Sequence, residues 1–260
     1  MINFMVANLQ ENRKLDKRMA QDKLLNLVHA QIENSFDVGW TQEKIIIMSN
    51  FDFEFMGVKP HKCLLNNFCL TGSKMFGVLS AFQLGFVTEE IWSHDLDAWQ
   101  NVWFESPEFL DIGISTYSSS RYNGGSVFFK PAARDVVEKI VDIMEKQTSP
   151  KEEPVLNRIL KSDEYKKRVT VLNNTYNVGC SGFVKRYARS EKPIRVCHFR
   201  PTNKIAWETH ILDRNGIGAE ARSAGGRLEK LMRKYFPDLA TELSEDGKRK
   251  QERCRKEIKT

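Results

Sequence analysis

The segment Lys44-Ile45-Ile46-Ile47-Met48-Ser49-Asn50 sets four consecutive apolar side chains between polar neighbours. A strand sends alternate side chains to opposite faces, so this run has no polar face and needs cover on both sides. That demand is met by a mostly parallel sheet between layers of helices. The chain before it agrees. Ile2 to Leu9 reads as a short buried strand, and Met19 to Ser35 as a helix with Leu24, Leu25, Leu27, Val28 and Ile32 at helical spacing. Strand, helix, strand is the opening of an α/β fold. A helix over Gly72 to Gly85 and a strand ending at Asp95 continue the alternation, which places Asp95 at the carboxyl edge of the sheet, where ligands of open α/β sheets gather. Further along, Asp111 to Tyr117, Ser126 to Phe129, Arg168 to Leu172 and Ile194 to Phe199 read as strands. Ala132 to Gln147, Glu153 to Leu160 and Leu228 to Tyr235 read as helices, the first opened by Pro131. Residues 51–71 and 200–226, rich in Gly, Pro and Asn, read as irregular loops.

At that carboxyl edge stands Asp95-Leu96-Asp97. In an extended backbone residues i and i+2 share a face, so the two carboxylates point one way and Leu96 the other. Paired oxygen ligands suit Mg²⁺ or Mn²⁺, which keep positions open for water and phosphate oxygens. Two acids one residue apart also arise by chance, so the pair gains meaning from its surroundings. His94 projects to the face opposite Asp95 and stays outside the expected metal shell. Trp92, Trp99, Trp103 and Phe104 surround the pair, either as stacking platforms for sugars and bases or, more plainly, as core.

The bulk properties restrict the setting. A chain of 260 residues with 41 % hydrophobic content supports one full core with an appendage. We expect residues 1–205 to form the main domain, 206–246 a helical extension and 247–260 a basic, disordered tail. No stretch has the roughly 20 apolar residues of a membrane span, and Met1 to Leu9 is too short for a signal segment. Five cysteines, odd in number and without a Cys-x-x-Cys pair, argue against a disulfide framework or a structural zinc site and favour a cytoplasmic location, the host's if the chain is viral. Residues 185–260 carry 20 Lys/Arg against 11 Asp/Glu, whereas residues 1–184 carry 20 against 23. A basic C-terminal part fits an anionic partner, with a solvated helical face as the plain alternative.

Five elements follow one another in a telling order: Lys74 near the start of a helix, Asp95-Leu96-Asp97, Asn123-Gly124-Gly125, Glu152-Glu153-Pro154-Val155-Leu156-Asn157 and Cys197-His198-Phe199-Arg200-Pro201. This order resembles the nucleotide-sugar-dependent glycosyltransferases of the GT-A fold, especially glycogenin-like and galactosyltransferase-like members, over roughly residues 2–205. Over its whole length, with Ala30 to Ser35 and Ser49 to Glu54, the chain also looks like small glycosyltransferases of bacteriophages. The resemblance implies a Rossmann-like mixed sheet flanked by helices. It implies Asp95, Asp97 and His198 as ligands of Mn²⁺ or Mg²⁺, and Asn8, Lys74, Asp95, Gly125 and Lys204 as donor-binding residues. Asp97, Asn123 and Glu153 become the expected catalytic set, and a UDP-sugar the expected donor. Where the family carries Asp-Gln-Asp, this chain has Glu152-Glu153-Pro154.

Each of these residues has a plainer reading. His198 can be a hydrogen-bonded core histidine, Lys74 a solvated lysine, Asn123-Gly124-Gly125 a hairpin turn, and Glu153 an acid at a helix N-terminus. For the acceptor, phage enzymes of this kind include those that glycosylate hydroxymethylcytosine. The basic residues Lys185, Arg186, Arg189, Arg195, Arg214, Arg222, Arg227, Arg233 and Lys248 to Lys250 offer a surface for double-stranded DNA. A glycan, protein or lipid-linked acceptor stays open, as do a nucleotidyltransferase and a nucleic-acid-binding protein without catalysis. The sequence leaves the oligomeric state undetermined.

Overall fold

The computed structural model of the chain describes residues 1–9, 21–65, 73–118, 121–146, 151–179, 183–201, 207–212 and 226–239, with isolated positions from 244 to 256. Strands β1 (Ile2–Ala7), β2 (Ile45–Ser49), β3 (His61–Lys62) and β4 (Ile91–His94) form the parallel part of a seven-stranded sheet, with helices α1 (Gln21–Asp37) and α2 (Ser73–Gln83) between them. The sheet continues with β6 (Ile112–Ser118), β7 (Arg121–Phe129) and β8 (Val169–Val171), in the order β3-β2-β1-β4-β7-β6-β8. β7 runs antiparallel to both β4 and β6, so the sheet is mixed.

The all-apolar run of β2 is divided as its periodicity demands. Ile46 and Met48 join the core under α2, α3 (Arg134–Lys146) and α4 (Glu152–Leu160), while Ile45 and Ile47 join the core under α1. A smaller sheet, β5 (Ala98–Gln100), β10 (Val196–His198) and β9 (Val178–Gly179), lies beyond the carboxyl end of β4. Its Trp99, Val178 and Cys197 share a third core with Trp207, Ile211 and Leu212 and with helix α6 (Arg227–Tyr235). A further short helix, α5 (Phe183–Arg189), follows β9. Among the described residues no helix is long and apolar enough to cross a membrane.

Three local expectations change. β7 begins at Arg121, so Asn123-Gly124-Gly125 lies inside a strand rather than in a hairpin turn. Asp95 to Asp97 is no extended strand end but a tight turn between β4 and β5, closed by the Ala98 N–H donating to the Asp95 carbonyl at 2.9 Å. The short strands β3, β5 and β9 carry too few residues for a periodic signal, and the turn Glu208–Leu212 falls where an irregular loop is expected. Trp92, Trp99 and Phe104 are core, whereas Trp103 is 47 % exposed.

Candidate functional site

The antiparallel turn of the chain at β7 creates the site. Because β7 runs against β4, its first residues lie beside the last residues of β4, with Ser126 opposite His94. The Asp95 N–H donates to the Gly125 carbonyl at 2.9 Å, which continues that ladder into the acidic turn. On the other side β10 pairs with β5, His198 opposite Ala98, and the Phe199 N–H donates to the Asp97 carbonyl at 2.8 Å. Backbone pairing therefore brings residues 100 positions apart to one point.

Their side chains converge. A carboxylate oxygen each from Asp95 and Asp97 and a ring nitrogen of His198 lie within 4.8 Å of one another. His198 Nε2 is 3.1 Å from Asp97 Oδ1 and 3.6 Å from Asp95 Oδ2. The remaining atom of each group is held from outside. Lys74 Nζ donates to Asp95 Oδ1 at 2.7 Å, Arg200 Nε to Asp97 Oδ2 at 3.3 Å, and His198 Nδ1 lies 3.0 Å from Asn177 Oδ1. Two hard oxygens and one imidazole, each with its second atom occupied, fit a divalent cation with positions left open. Gly125 is part of the fit, since a Cβ there would collide with the His198 ring.

Charge follows from this packing. Burial alone would raise the Asp97 carboxyl, but His198 and Arg200 outweigh it and hold it at about 2. Burial works equally against a charged His198, yet the Asp97 carboxylate wins and raises its pKa. His94 is the contrary case. Its ring stacks on Trp92 at 4.0 Å, bridges Asn3 and the Asp95 carbonyl, and burial pushes its pKa down to about 4. It sits in the core, outside the acidic cluster.

Lys74, 7 % exposed on the first turn of α2, bonds Asp95, the Gly124 carbonyl and, at 3.3 Å, Glu152 Oε1. Burial would lower its pKa, but the two carboxylates raise it, so the ammonium stays charged. Glu152 is the worse served of the two acids, and burial pushes its carboxyl up to about 7 despite Lys74. Glu153, the acid singled out from sequence, turns the other way and pairs with Arg121 at 2.5 Å. One helical position separates them, and α4 begins so that Glu152 faces the sheet edge while Glu153 faces the β7 strand start. Asn123 is buried and its Oδ1 accepts from the Gly125 N–H at 3.0 Å. Among the described residues, Asn123 Nδ2 and Glu152 Oε2 are buried without a hydrogen-bond partner. Asn8, at the end of β1, donates to Ser73 Oγ beside Lys74. Lys204 lies outside the described residues.

The basic surface expected for DNA is only partly a surface. Arg186 is 2 % exposed and donates to the Asn177 carbonyl. Arg227 is spent inside the fold, donating to Asn34 and to the carbonyls of Gln100 and Asn101. Arg189, Arg200 and Arg249 are exposed, while Arg214, Arg222 and Lys250 lie outside the described residues.

Neither a protein-family model nor a curated protein sequence matches the chain. Among solved structures, the galactosyltransferase LgtC, in complex with donor and acceptor sugar analogues, superposes with a TM-score of 0.53 at 13 % identity, over 96 % of this chain and 100 % of that one. The glycosyltransferase GlyE of Streptococcus pneumoniae TIGR4 superposes with a TM-score of 0.51 at 13 % identity, over 91 % of this chain and 63 % of GlyE. The likeness is one of fold. The seven-stranded mixed sheet flanked by helices is that of GT-A glycosyltransferases.

Proposed function

We propose that this chain is a metal-dependent glycosyltransferase that takes its sugar from a nucleotide-sugar donor, with a UDP-sugar as the first candidate. The observation that carries the reading is the cluster of Asp95, Asp97 and His198 beside two buried polar atoms without partners, Glu152 Oε2 and Asn123 Nδ2. They are two of ten such atoms among the described residues, and what singles them out is their place: Glu152 pairs with Lys74, which holds Asp95, and the Asn123 side chain holds the N–H of Gly125, whose carbonyl accepts from the Asp95 N–H. A sugar diphosphate answers both needs, with hydroxyls for Glu152 and Asn123 and phosphate oxygens for the open metal positions.

Transfer breaks the bond between the anomeric carbon and the diphosphate oxygen and forms one to an acceptor oxygen, whose proton passes to the departing diphosphate or to solvent. Mn²⁺ or Mg²⁺, held by Asp95, Asp97 and His198, supplies a Lewis acid for the charge that grows on the departing diphosphate. Lys74 fixes Asp95 and brings a permanent positive charge to the sugar side of the site. Arg200 fixes Asp97 and, at 60 % exposure, keeps a guanidinium at the rim for phosphate. Glu152 and Asn123 orient the sugar ring. Asn8 and Lys204 are proposed donor contacts, and Glu153 a contact at the acceptor side.

Two acceptors are in play. The basic C-terminal part, with Arg189, Arg200 and Arg249 exposed, favours hydroxymethylated or already glycosylated cytosine in double-stranded DNA. The internal placement of Arg186 and Arg227, and the acceptor sugar analogue bound by LgtC, favour a glycan hydroxyl. The test is transfer from radiolabelled nucleotide sugars, with and without Mn²⁺, to duplex DNA bearing hydroxymethylcytosine, bare or glucosylated, and to glycans. Metal-dependent label in modified DNA alone identifies the first acceptor, and label in glycans alone the second. Asp97→Ala is expected to abolish both transfer and donor hydrolysis; wild-type turnover in that variant overturns the metal site.

A further inference from the structure

We infer that Gln31 is a positioning residue that fixes the acidic turn, holding Asp97 from both sides through the carbonyls of Leu96 and Ala98. The inference rests on the metal reading above for its Mn²⁺ readout, and it adds to that reading a residue of α1 that lies 65 positions before Leu96 in the chain.

β5 is the end strand of the small sheet, in the order β5-β10-β9, so one of its edges has no strand beside it. Buried carbonyls on such an edge need donors from elsewhere. Helix α1 supplies them from its side chains. Gln31 Nε2 donates to the Leu96 carbonyl at 2.9 Å and to the Ala98 carbonyl at 3.0 Å, and Asn34 Nδ2 donates to the Gln100 carbonyl at 3.2 Å. Both side chains are 1 % exposed, and at i and i+3 they share one face of the helix. The Gln31 amide has a single workable orientation, because a carbonyl oxygen only accepts and the two carbonyls take the two protons of Nε2.

What these bonds hold is a peptide plane. Asp95 to Ala98 is a four-residue turn closed by the Ala98 N–H on the Asp95 carbonyl, and the Leu96 carbonyl belongs to its central peptide. That peptide can face either way in a turn, and the reversed arrangement sets the third residue, here Asp97, at positive φ. Among the described non-glycine residues Met56 alone has positive φ, so Asp97 keeps the unreversed arrangement. Reversal would take the Leu96 carbonyl away from Gln31 and press it on the Asp97 Cβ, displacing the carboxylate that lies 3.1 Å from His198. The bond to Ala98 braces the other side of Asp97, whose own carbonyl takes the Phe199 N–H at 2.8 Å. All four carbonyls of the turn thus have donors, and Gln31 provides two of them.

The experiment compares two variants of the full chain. Gln31→Met keeps the length of the side chain and loses the donor. Asn34→Leu loses a buried amide one helical turn away, which bonds Gln100 rather than the acidic turn. Both variants should unfold at lower denaturant concentration. Only Gln31→Met should weaken Mn²⁺ binding, read from the free-ion EPR signal, by about 10–100-fold, with Asn34→Leu within a few-fold of wild type. Hydrogen exchange of the Ala98 N–H, measured without metal, should be at least about tenfold faster in Gln31→Met than in Asn34→Leu. Mn²⁺ affinity that is unchanged in Gln31→Met, or that falls equally in both variants, overturns the inference. A wild type that binds no Mn²⁺ at millimolar concentration overturns the metal reading instead. The exchange at Ala98 then decides alone, a faster rate in Gln31→Met supporting the role of Gln31 and equal rates overturning it. If either variant does not fold, the wild type decides: side-chain amide protons of Gln31 that exchange more slowly than those of exposed Gln83 support the two bonds, and equal rates overturn them.

Discussion

At Gly125 a missing side chain decides whether the acidic pair has a third partner. The resemblance gives this glycine a donor-binding role, and the geometry gives it a task of its own, clearing the volume that the His198 ring fills. Gly125→Ala should displace the ring from Asp97 and lower Mn²⁺ affinity at least about tenfold while the protein stays folded, because the collision is with one side chain rather than with backbone. Unchanged Mn²⁺ binding by calorimetry would count against the ring's place in the shell. The same ring makes the site sensitive to pH. Asp97 is held at about 2, below its ordinary 3.8, so its share of stability is present above that ordinary value and fades as pH falls towards 2. His198 is raised above its ordinary 6.5, so its share is full below 6.5 and is lost as pH rises through the raised value. A cation on Nε2 must expel that proton, and below the raised value affinity should climb about tenfold per pH unit. Calorimetry in buffers of different ionisation enthalpy should find proton release on binding at pH below the raised value, and less of it in His198→Gln. The residue types of this cluster were legible in the chain because hard oxygen ligands and a late histidine form a recognisable set. Glu152 was not, since one helical position decides which of two adjacent acids turns inward. Nor was Asn177, which sits just before β9 and meets His198 Nδ1 from 21 positions away in the chain.

At the scale of elements, α2 carries Lys74 to the site, and its seat on β1 is set by Gly77. A Cβ on Gly77 would run into both methyls of Val6. Gly77→Ala should lift α2 from the strand, cost about 1–3 kcal/mol in stability and draw Lys74 away from Asp95. Donor KM should rise more than kcat falls, because Lys74 would be lost as a contact to the bound sugar; an unaltered KM would separate the helix seat from the site. Helix α6 plays the matching part for β5. The Arg227 guanidinium reaches across to the carbonyls of Gln100 and Asn101, at 2.9 and 2.8 Å, at the end of the strand that pairs with β10. Removing it in Arg227→Ala takes a donor from the Asn101 carbonyl and from Asn34 Oδ1, while the Gln100 carbonyl keeps its bond from Asn34 Nδ2 at 3.2 Å, and should cost about 1–3 kcal/mol, which a denaturant midpoint would register. The long elements were readable because burial marks them in the sequence: an unbroken apolar run for β2, with its side chains shared between two cores, and a period of 3.6 for α1 and α3. The small sheet was not, because strands of two or three residues show no period. They owe their existence to the pairing that also assembles the site, so the part of the fold hardest to read is the part nearest to the chemistry.

For the whole molecule the open choice is the acceptor, and net charge alone does not make it. The excess of Lys and Arg in residues 185–260 suggests a phosphate-binding face, yet Arg186 and Arg227 spend their charge inside the fold. Among the described residues of 185–239, Arg189, Lys192, Lys230 and Lys234 stay exposed away from Asp97, and residues 247–260 add further Lys and Arg. If double-stranded DNA is the acceptor, removing residues 247–260 should weaken DNA binding and flatten its dependence on salt, each lost phosphate contact reducing the slope of log K against log salt by about 0.9. Donor hydrolysis, which the proposed reading assigns to Asp95, Asp97 and His198, should be unchanged in the same variant. Arg200→Ala should do the reverse. It sits against Asp97 and is expected to slow donor hydrolysis as well as transfer, since it serves the metal side of the site whatever the acceptor is. A truncated protein with the wild-type salt slope, alongside transfer to glycans that salt does not affect, would mean that the basic C-terminal part has no share in acceptor choice. The acceptor would then be read by the walls of the site itself, whose charged groups include Arg200 and the Glu153–Arg121 pair.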